Sequence, residues 1–328
     1  MRDVAGAEFS SYHAPGWLRG GHAQTIWPTF MRIASPPLRR ERVEIGDGDF
    51  WDFDWLAAPA DREAPLVALF HGLEGSAASA YARAFLAHLA ALGWRAVVPH
   101  FRGCGGEPNR LARAYHSGDH DEVGEMLAAI RARVGADAVV YAAGVSLGGS
   151  ALLNWLGRQR AEAASTVRAA AAVSAPLDLS AAGYAIGRGA NRIYTRHFLR
   201  TLKPKALAMA ARFPGRLDAG RLRRVRTMWE FDDVVTAPLH GFAGADDYWT
   251  RGSSKPWLAQ IAVPTLVLNA KNDPFIPASS LAHAGEAGTA VTLEQPAGGG
   301  HAGFVVGAPP GRLDWLPQRL TRFFEDGV

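Results

Sequence analysis

The sequence has a single cysteine, Cys104, among its 328 residues. One cysteine excludes an intramolecular disulfide framework and any metal site built from several cysteines. The chain also lacks an uncharged apolar run of about 18 residues, so we expect no transmembrane helix. Residues 1–17 lack the continuous apolar stretch of a secretory signal, so no such signal is expected either. These absences together predict a cytoplasmic protein.

A strong excess of one sign of charge is also missing. The chain carries 35 Lys and Arg against 31 Asp and Glu, which gives a formal net charge of +4. With no recognised nucleic-acid-binding module beside it, this charge gives no reason to expect a nucleic-acid partner. Apolar residues are plentiful, because 48% of the chain is hydrophobic and 20% is charged. A chain of this length can bury a sizeable core as one large domain or two modest ones.

From residue 65 onwards, short apolar runs alternate with segments of helical periodicity. Such alternation is typical of βαβ units around a parallel sheet. An antiparallel hairpin at 42–45 and 50–56 is expected before them. The further predicted strands are 66–70, 94–99, 138–142, 169–173, 265–268 and 291–293, and the predicted helices are 80–92, 119–133, 149–160 and 313–324. The sequence therefore predicts an α/β fold with an eight-stranded, mostly parallel sheet flanked by helices.

The alternation of strands and helices breaks once, between residues 177 and 256. This stretch shows only helical segments, which we expect to be broken by Pro204, Pro214 and Pro238. Long structureless loops are rare in compact domains, so these roughly eighty residues are interpreted as an inserted helical cap. The expected division is an N-terminal arm at 1–40, a core at 41–176 and 257–328, and a cap at 177–256.

The segment Gly144-Val-Ser-Leu-Gly148 has the pattern Gly-x-Ser-x-Gly. It follows the apolar run at 137–143 and precedes a helical segment, and strand, sharp turn and helix are the context of a nucleophile elbow. Gly144 and Gly148 allow neighbouring backbone to approach a turn whose central residue is strained. The sequence therefore predicts Ser146 as a nucleophile.

A nucleophilic serine needs a base that takes its proton and an acid that orients the base. Asp273 directly follows a predicted strand, and His301 lies in the glycine-rich loop after the next strand. In a sheet of this kind, such loops meet at the carboxyl edge of the strands. The chain order serine, aspartate, histidine is the order expected when a nucleophile elbow lies on a sheet of this kind. We predict Ser146, Asp273 and His301 as the catalytic residues, with Asp178 as a rival for the acid.

When Ser146 attacks a carbonyl carbon, negative charge develops on the carbonyl oxygen and needs preorganised hydrogen-bond donors. One donor in such an elbow is the amide after the nucleophile, here that of Leu147. A second comes from the loop after an earlier strand, and the amide of Leu73 is our candidate. In the same loop, His71 and Gly72 are candidates for lining the substrate pocket.

The N-terminal arm allows two interpretations. Trp17, Ile26 and Trp27 are suited to packing the arm over the core, which would make it a structural segment. Alternatively, His22 and Gln24 help to line the substrate pocket.

No cofactor or metal site is predicted. The glycine-rich loop at 101–109 lacks both Gly-Lys-Ser/Thr and GxGxxG, so nucleotide binding is not expected. A cluster of His116, Asp119, His120 and Asp121 resembles a metal-ligand set. We favour the alternative that Asp119 or Ser117 caps the following helix.

Basic residues dominate one part of the predicted cap. Twelve Lys or Arg lie between Arg188 and Arg226, against the one acid Asp218. Arg188, Arg192, Arg196 and Arg200 recur every four residues and would line one helix face. A solvated face is one explanation of this stripe, and peripheral contact with an anionic lipid surface is the other.

Seven short segments are spread over most of the chain: Gly20-Gly-His-Ala-Gln-Thr-Ile-Trp-Pro28, His71-Gly-Leu-Glu-Gly75, Arg102-Gly-Cys-Gly-Gly-Glu-Pro-Asn109, Tyr115-His-Ser-Gly118, Gly144-Val-Ser-Leu-Gly-Gly149, Asn272-Asp-Pro274 and Gly300-His301. In these segments the chain resembles the YheT-like family of α/β-hydrolases, which is related to ABHD-type esterases and lipases. The resemblance implies a cofactor-free serine carboxylesterase that acts on fatty esters such as acylglycerols. Two alternatives stay open, an acyltransferase that moves the acyl group to an alcohol and a non-catalytic lipid-binding module.

Overall fold

The computed structural model describes residues 11–57 and 61–326. In this part of the chain, eight strands form one sheet. They are β1 (Leu38–Glu44), β2 (Phe50–Leu56), β3 (Leu66–Phe70), β4 (Arg95–Pro99), β5 (Val140–Val145), β6 (Ala169–Val173), β7 (Thr265–Leu268) and β8 (Val291–Glu294). The order across the sheet is β1-β2-β4-β3-β5-β6-β7-β8. Only the β1–β2 and β2–β4 pairs are antiparallel, so the predicted mostly parallel sheet is confirmed.

Helices connect and cover these strands. The α-helices of the described part are α1 (Gly21–Ile26), α2 (Ala80–Ala91), α3 (His120–Val134), α4 (Leu147–Gln159), α5 (Leu179–Ile186), α6 (Arg192–Arg212), α7 (Ala219–Arg224), α8 (Met228–Phe231), α9 (Ala237–His240), α10 (Ala245–Gly252) and α11 (Trp315–Asp326). Short 3₁₀ segments lie at Trp27–Phe30, Arg160–Ser165, Gly189–Asn191, Lys255–Gln260, Ala278–Ser280 and Ala284–Glu286, and a π-helical turn lies at Asp232–Thr236. None of the helices in residues 11–57 and 61–326 combines the length and apolar character needed to cross a bilayer.

The first strand is longer than the sequence predicts. β1 begins at Leu38, not at residue 42, and pairs with β2 over its whole length. The alternation of polar and apolar residues does not indicate this extension, because ion pairs between charged side chains stabilise it. Arg40 contacts Asp54 at 2.7 Å and Arg42 contacts Asp52 at 2.9 Å, both across the hairpin. Such cross-strand pairs stabilise the edge of an antiparallel ribbon.

Both faces of the sheet are buried under helices. Alternate residues of β3 point to opposite faces, so Phe70 packs in one apolar layer and Leu69 in the other. Met126 of α3 belongs to the first layer, whereas Phe85 of α2 and Phe324 of α11 belong to the second. This explains why the parallel strands read as nearly continuous apolar runs.

The segment between β6 and β7 is helical throughout its regular structure. It holds α5 to α10, and in the described chain no strand interrupts it. A separate apolar cluster, which includes Leu199, Leu222 and Val235, fills its interior. We propose that residues 177–256 form the cap, and that the arm and core keep the boundaries expected from sequence. The first ten residues of the arm lie outside the described residues.

One expectation for this segment is wrong. Pro204 does not break a helix, because it lies inside the 21-residue α6. Proline removes one backbone hydrogen bond and strains the preceding turn. Buried neighbours on both sides of it, Leu202 and Ala206, pack into the apolar cluster and hold the helix together. Pro238 is also inside a helix, at the first turn of α9, where a proline is tolerated.

Candidate active site

Ser146 occupies a strained turn between β5 and α4. Its backbone has φ 54° and ψ −121°, an unfavourable conformation for a residue with a side chain. The Ser146 N–H donates to the carbonyl of Val173 at 2.8 Å, which ties the turn to β6. A Cβ on Gly144 would lie 2.6 Å from the Gly148 oxygen, and one on Gly148 would lie 2.5 Å from the Phe70 oxygen. Only glycine fits at these two positions, so the spacing of the motif follows from close backbone packing.

The structure brings Ser146, His301 and Asp273 together. His301 Nε2 lies 2.9 Å from Ser146 Oγ, and His301 Nδ1 lies 2.8 Å from Asp273 Oδ2. The Asp273 side chain is fully buried, and its other oxygen accepts the Phe275 N–H at 2.8 Å. The imidazole can therefore accept the serine proton at one nitrogen while its other N–H donates to the carboxylate.

Two further acidic residues singled out from the sequence lie elsewhere. Asp178, the rival acid, caps α5 by accepting the Ala181 N–H at 2.9 Å. Asp119 is the residue before α3, but its side chain does not cap the helix and instead contacts Arg113 at 2.9 Å. Ser117 does not cap it either, so the preferred capping interpretation is wrong. Across the described ranges, no group of three or more His, Cys, Asp or Glu is arranged to hold a metal ion.

The loop that carries His301 is held by side chains from three separate parts of the chain. The Gly300 N–H donates to Asn272 Oδ1 at 3.0 Å, the His301 N–H to Thr25 Oγ1 at 2.9 Å, and the Ala302 N–H to Ser174 Oγ at 2.9 Å. The Phe275 ring packs against the imidazole with a centroid distance of 4.1 Å. These supporting residues escape sequence analysis, because nothing local marks Thr25 or Ser174 as a neighbour of His301.

Gln24 and His22 lie outside the cavity lining, so the second interpretation of the arm, in which they help to line the pocket, is wrong. Gln24 is fully buried, donates to the Leu18 carbonyl at 2.8 Å and accepts the Val305 N–H at 2.8 Å. His22 stacks on Tyr194 of α6, with 2.9 Å between Nδ1 and the phenol oxygen. The N-terminal motif therefore joins the His301 loop and α6 to α1, and its polar residues serve packing, not the pocket.

His71 is also outside the cavity lining. Its ring is fully buried, with Nδ1 donating to the Gly72 carbonyl at 2.8 Å and Nε2 accepting the Phe101 N–H at 3.2 Å. Burial lowers the pKa of His71 to about 3, so the ring is neutral and structural. Gly72 lies beside the elbow, since a Cβ there would be 3.1 Å from Ser146 Cβ. Its role is to leave space for the nucleophile.

Both candidate oxyanion donors lie at the cavity. Leu73 and Leu147 line it beside Ser146 and His301. Neither amide donates to an acceptor in the part of the chain that the structure describes. Both N–H groups can therefore donate to a substrate oxygen, as an oxyanion site requires.

A contact between core and cap fixes the residue after Leu73. Glu74 has a positive φ of 56°, and its N–H donates to the Tyr115 hydroxyl at 2.8 Å. The same hydroxyl donates to the Glu74 carboxylate at 3.0 Å, and Lys205 of α6 contacts that carboxylate at 2.9 Å. Sequence analysis missed Glu74 and Lys205, because their partners are remote in the chain.

The glycine-rich loop at 101–109 is a scaffold and not a phosphate cradle. The Arg102 side chain is 2% exposed, and its guanidinium contacts three carboxylates, those of Asp47 at 2.8 Å, Asp49 at 3.0 Å and Glu122 at 3.2 Å. These carboxylates compensate the charge of the buried guanidinium, which therefore has little attraction left for a bound anion. The motif therefore positions the loop beneath the cavity.

The cavity above Ser146 has a volume of about 540 Å³. Its floor is the elbow and the His301 loop, and its walls come largely from α5, α6 and the helices that follow. Most wall side chains are apolar, among them Leu179, Ile186, Phe198, Leu202, Phe231 and Val235. A pocket of this size and character fits an extended apolar ligand with one reacting end at Ser146.

Comparison with known proteins places this geometry in context. The family model described as "alpha/beta hydrolase fold" matches residues 65–308. Over 304 residues the chain is 38% identical to "Putative esterase YheT" of Escherichia coli (strain K12), covering 91% of this chain and 88% of that protein. It is 27% identical to "Phospholipase ABHD3" of Mus musculus over 99% of this chain and 80% of that protein.

A more distant relative is "Monoacylglycerol lipase" of Saccharomyces cerevisiae, at 26% identity over 81% of this chain and 60% of that protein. Among solved structures, the Pyrococcus furiosus esterase Pf2001 matches with a TM-score of 0.55 and 13% identity, covering 88% of this chain and 92% of that one. At such low identity, the structural likeness shows a common fold alone.

Proposed function

This chain belongs to the α/β-hydrolase family, and from that premise we propose that it is a serine carboxylic-ester hydrolase. Ser146 Oγ attacks the acyl carbon while His301 Nε2 accepts its proton, and Asp273 stabilises the imidazolium. The amides of Leu73 and Leu147 bind the oxyanion. His301 then returns the proton to the leaving alcohol, which yields an acyl-enzyme. In the second step His301 activates a water that releases the carboxylic acid and frees Ser146.

One observation carries this proposal. The His301 imidazole lies between Ser146 Oγ at 2.9 Å and Asp273 Oδ2 at 2.8 Å, at the floor of a large apolar cavity. The relatives named esterase, phospholipase and monoacylglycerol lipase support the same reaction class. Because the mechanism needs only these side chains and water, we propose that no cofactor takes part.

Hydrolysis of a nitrophenyl butyrate ester by the wild type and by Ser146→Ala tests the mechanism. Loss of the nucleophile is expected to lower kcat by about 10⁴ or more. A fluorophosphonate probe should label the wild type at Ser146 and leave the variant unlabelled. Equal turnover by both proteins would exclude the mechanism, and an unlabelled wild type would favour a non-catalytic binding module.

We propose short- to medium-chain fatty acyl esters or monoacylglycerol-like lipids as substrates. The apolar walls of the cavity support an acyl chain, and a volume of about 540 Å³ accommodates one of limited length. A series of esters of increasing acyl length should show a maximum of kcat/KM at short to medium length. Product analysis with added alcohol separates hydrolysis from acyl transfer, because transfer yields a new ester instead of the free acid.

The basic surface of the cap is proposed to contact anionic lipid. Arg192, Arg196 and Arg200 are exposed along α6. Arg188 precedes the helix, so the stripe on the helix face holds three arginines and not the four that the sequence predicts. Ile193 lies among these arginines with 49% exposure. An apolar side chain within a cluster of cations suits a negatively charged bilayer surface.

Sedimentation with anionic vesicles tests this contact. Binding should weaken as salt rises and should weaken further when Arg192, Arg196 and Arg200 are changed to Gln. Changing Arg19, Arg32 and Arg39, which are exposed elsewhere, to Gln removes the same charge and should have little effect. Salt-independent binding, or none, would remove the proposal. The cytoplasmic location expected from the sequence stays a prediction.

A further inference from the structure

A buried carboxylate lies on the cap wall of the cavity. Asp232 is 9% exposed and lines the same cavity as Ser146 and His301. Thr236 Oγ1 donates to Asp232 Oδ1 at 2.6 Å, and Trp249 Nε1 donates to Oδ2 at 2.8 Å. Each carboxylate oxygen can accept two hydrogen bonds, so both retain capacity for a further donor.

The backbone at Asp232 forms an irregular helical turn, which places the Asp232 side chain on the wall of the cavity. Residues 232–236 form a π-helical turn between α8 and α9, in which the Ala237 N–H donates to the Asp232 carbonyl. Turns of this kind are rare and occur often at functional sites. Asp232 and Thr236, at opposite ends of the turn, both line the cavity. The irregular turn thus presents a polar pair in an otherwise largely apolar wall.

The carboxylate is costly to keep in this position. In the described part of the chain, its hydrogen-bond donors are the uncharged groups of Thr236 and Trp249. Burying a charge without a cationic partner is unfavourable, and burial raises the pKa of Asp232 to about 6. At pH 7 the group is therefore mainly ionised and is a strong acceptor. A strongly perturbed acid in a substrate cavity points to a role with the ligand.

The chemistry of the cavity selects the kind of donor. Four cationic side chains also contribute to the lining, those of Arg102, Arg113, Lys205 and Arg212. Three of them, Arg102, Arg113 and Lys205, are paired with carboxylates, so their charge is largely compensated. The acyl chain of the proposed ester substrate has no hydrogen-bond donor. A hydroxyl on the alcohol part of the ester is the donor that fits.

We propose that Asp232 binds a free hydroxyl of the substrate's alcohol part, so that esters of glycerol-like alcohols are preferred to esters of simple alcohols. This inference rests on the proposed ester hydrolysis and adds a specificity-determining residue to it. Thr236 and Trp249 hold the carboxylate, and the bound hydroxyl donates to a free lone pair.

Two esters with the same acyl chain test the preference. 1-Monooctanoylglycerol and propyl octanoate share a three-carbon alcohol and differ in two hydroxyls. The wild type should show kcat/KM higher by about tenfold or more for the glycerol ester, the gain expected of a hydrogen bond to a charged group. Asp232→Asn should lose most of this preference, because kcat/KM should fall more for the glycerol ester than for the propyl ester.

Asp233→Asn is the matched control. Asp233 is the next residue, but its carboxylate pairs with Arg221 at 2.8 Å and does not line the cavity. This variant should retain the wild-type preference. An equal loss of preference in both variants would overturn the proposal.

A second measurement uses only the wild type and so does not depend on the folding of a variant. The ethers 1-O-octylglycerol and octyl propyl ether are not hydrolysed and can compete with nitrophenyl butyrate. The hydroxylated ether should have an inhibition constant lower by about tenfold or more. Equal constants, with nitrophenyl butyrate still turned over, would overturn the hydroxyl site and leave the proposed hydrolysis intact. No turnover of any ester would overturn both.

Discussion

At the scale of single residues, Asp273 and Asp178 follow neighbouring parallel strands but contact different partners. Asp273 accepts from His301, whereas Asp178 accepts from the Ala181 amide at the start of α5. We expect Asp273→Asn to lower kcat by about 10⁴, because the amide favours the wrong imidazole tautomer. Asp178→Asn should keep kcat within about twofold, since asparagine is also a good helix cap. Steady-state kinetics on a nitrophenyl ester distinguishes the two, and the reverse ranking would make Asp178 the acid.

Asp232 is expected to make stability depend on pH. Burial raises its pKa from 3.8 to about 6, so the folded state holds a proton between these pH values that the unfolded state has lost. The contribution of Asp232 to stability is therefore greatest at low pH and declines as pH rises through 6. Asp232→Asn removes this decline. The Tm difference, variant minus wild type, should be more positive at pH 8 than at pH 4.5, and thermal melts that show the opposite trend would contradict the assignment.

Sequence reasoning named the three residues of the proposed triad because their positions after successive strands follow from chain order alone. It left the arm with two interpretations, since polar residues such as Gln24 and His22 in a short motif can serve packing as readily as a pocket. It could not find Asp232, because the proposed role of this carboxylate depends on the cavity around it. No local sequence pattern indicates which residues line that cavity. The meeting of Ser146, Asp273 and His301 could be predicted, and the residues that support them could not.

At the scale of elements, α1 is expected to hold His301, the proposed base, in position. A Cβ on Gly21 would lie 1.9 Å from the Asn272 oxygen, so Gly21→Ala should push α1 away from the His301 loop. The expected result is a lower Tm and a kcat reduced more than KM is changed, because the imidazole loses its position. Gly20→Ala is the control, since its Cβ would come no closer than 3.9 Å to another atom, that of Ala23. Equal kcat in the two variants would argue against this coupling.

The contact between α6 and the loop after β3 is expected to affect the oxyanion site. Lys205→Met removes the ion pair with Glu74, whose backbone directly follows Leu73. Because Lys205 is half exposed, the effect should be modest, with kcat lowered by up to about fivefold. Arg200→Met on the same helix lowers the charge equally and should leave kcat unchanged. A change in KM alone for Lys205→Met would assign the pair to substrate binding instead.

The elements themselves were predictable to different degrees. Buried parallel strands stand out as apolar runs, and β3, β6 and β7 have the predicted bounds. Helices of the cap are less readable, because α6 continues through Pro204 and the π-turn at 232–236 leaves no trace in the hydrophobic pattern. In both cases tertiary packing overrides a local rule.

At the scale of the whole molecule, the cap has an apolar core of its own. The cluster around Leu199, Leu222 and Val235 is separate from the two layers that cover the sheet. We expect it to open more readily, so amides of α6 and α7 should exchange with solvent faster than those of β3, β5 and β6. Hydrogen exchange followed by mass spectrometry measures this order. Equal protection of the cap and the sheet would show that the two open together, and slower exchange in the cap would contradict the prediction.

The contact between α1 and the His301 loop also sets an order of events while the protein is made. Thr25 and His301 are 276 residues apart in the chain. Synthesis proceeds from the N-terminus, so residues 21–26 leave the ribosome long before the loop that they support exists. On the proposed mechanism, a nascent chain that stops short of residue 301 lacks its base and is expected to be inactive, even where most of its sheet has formed.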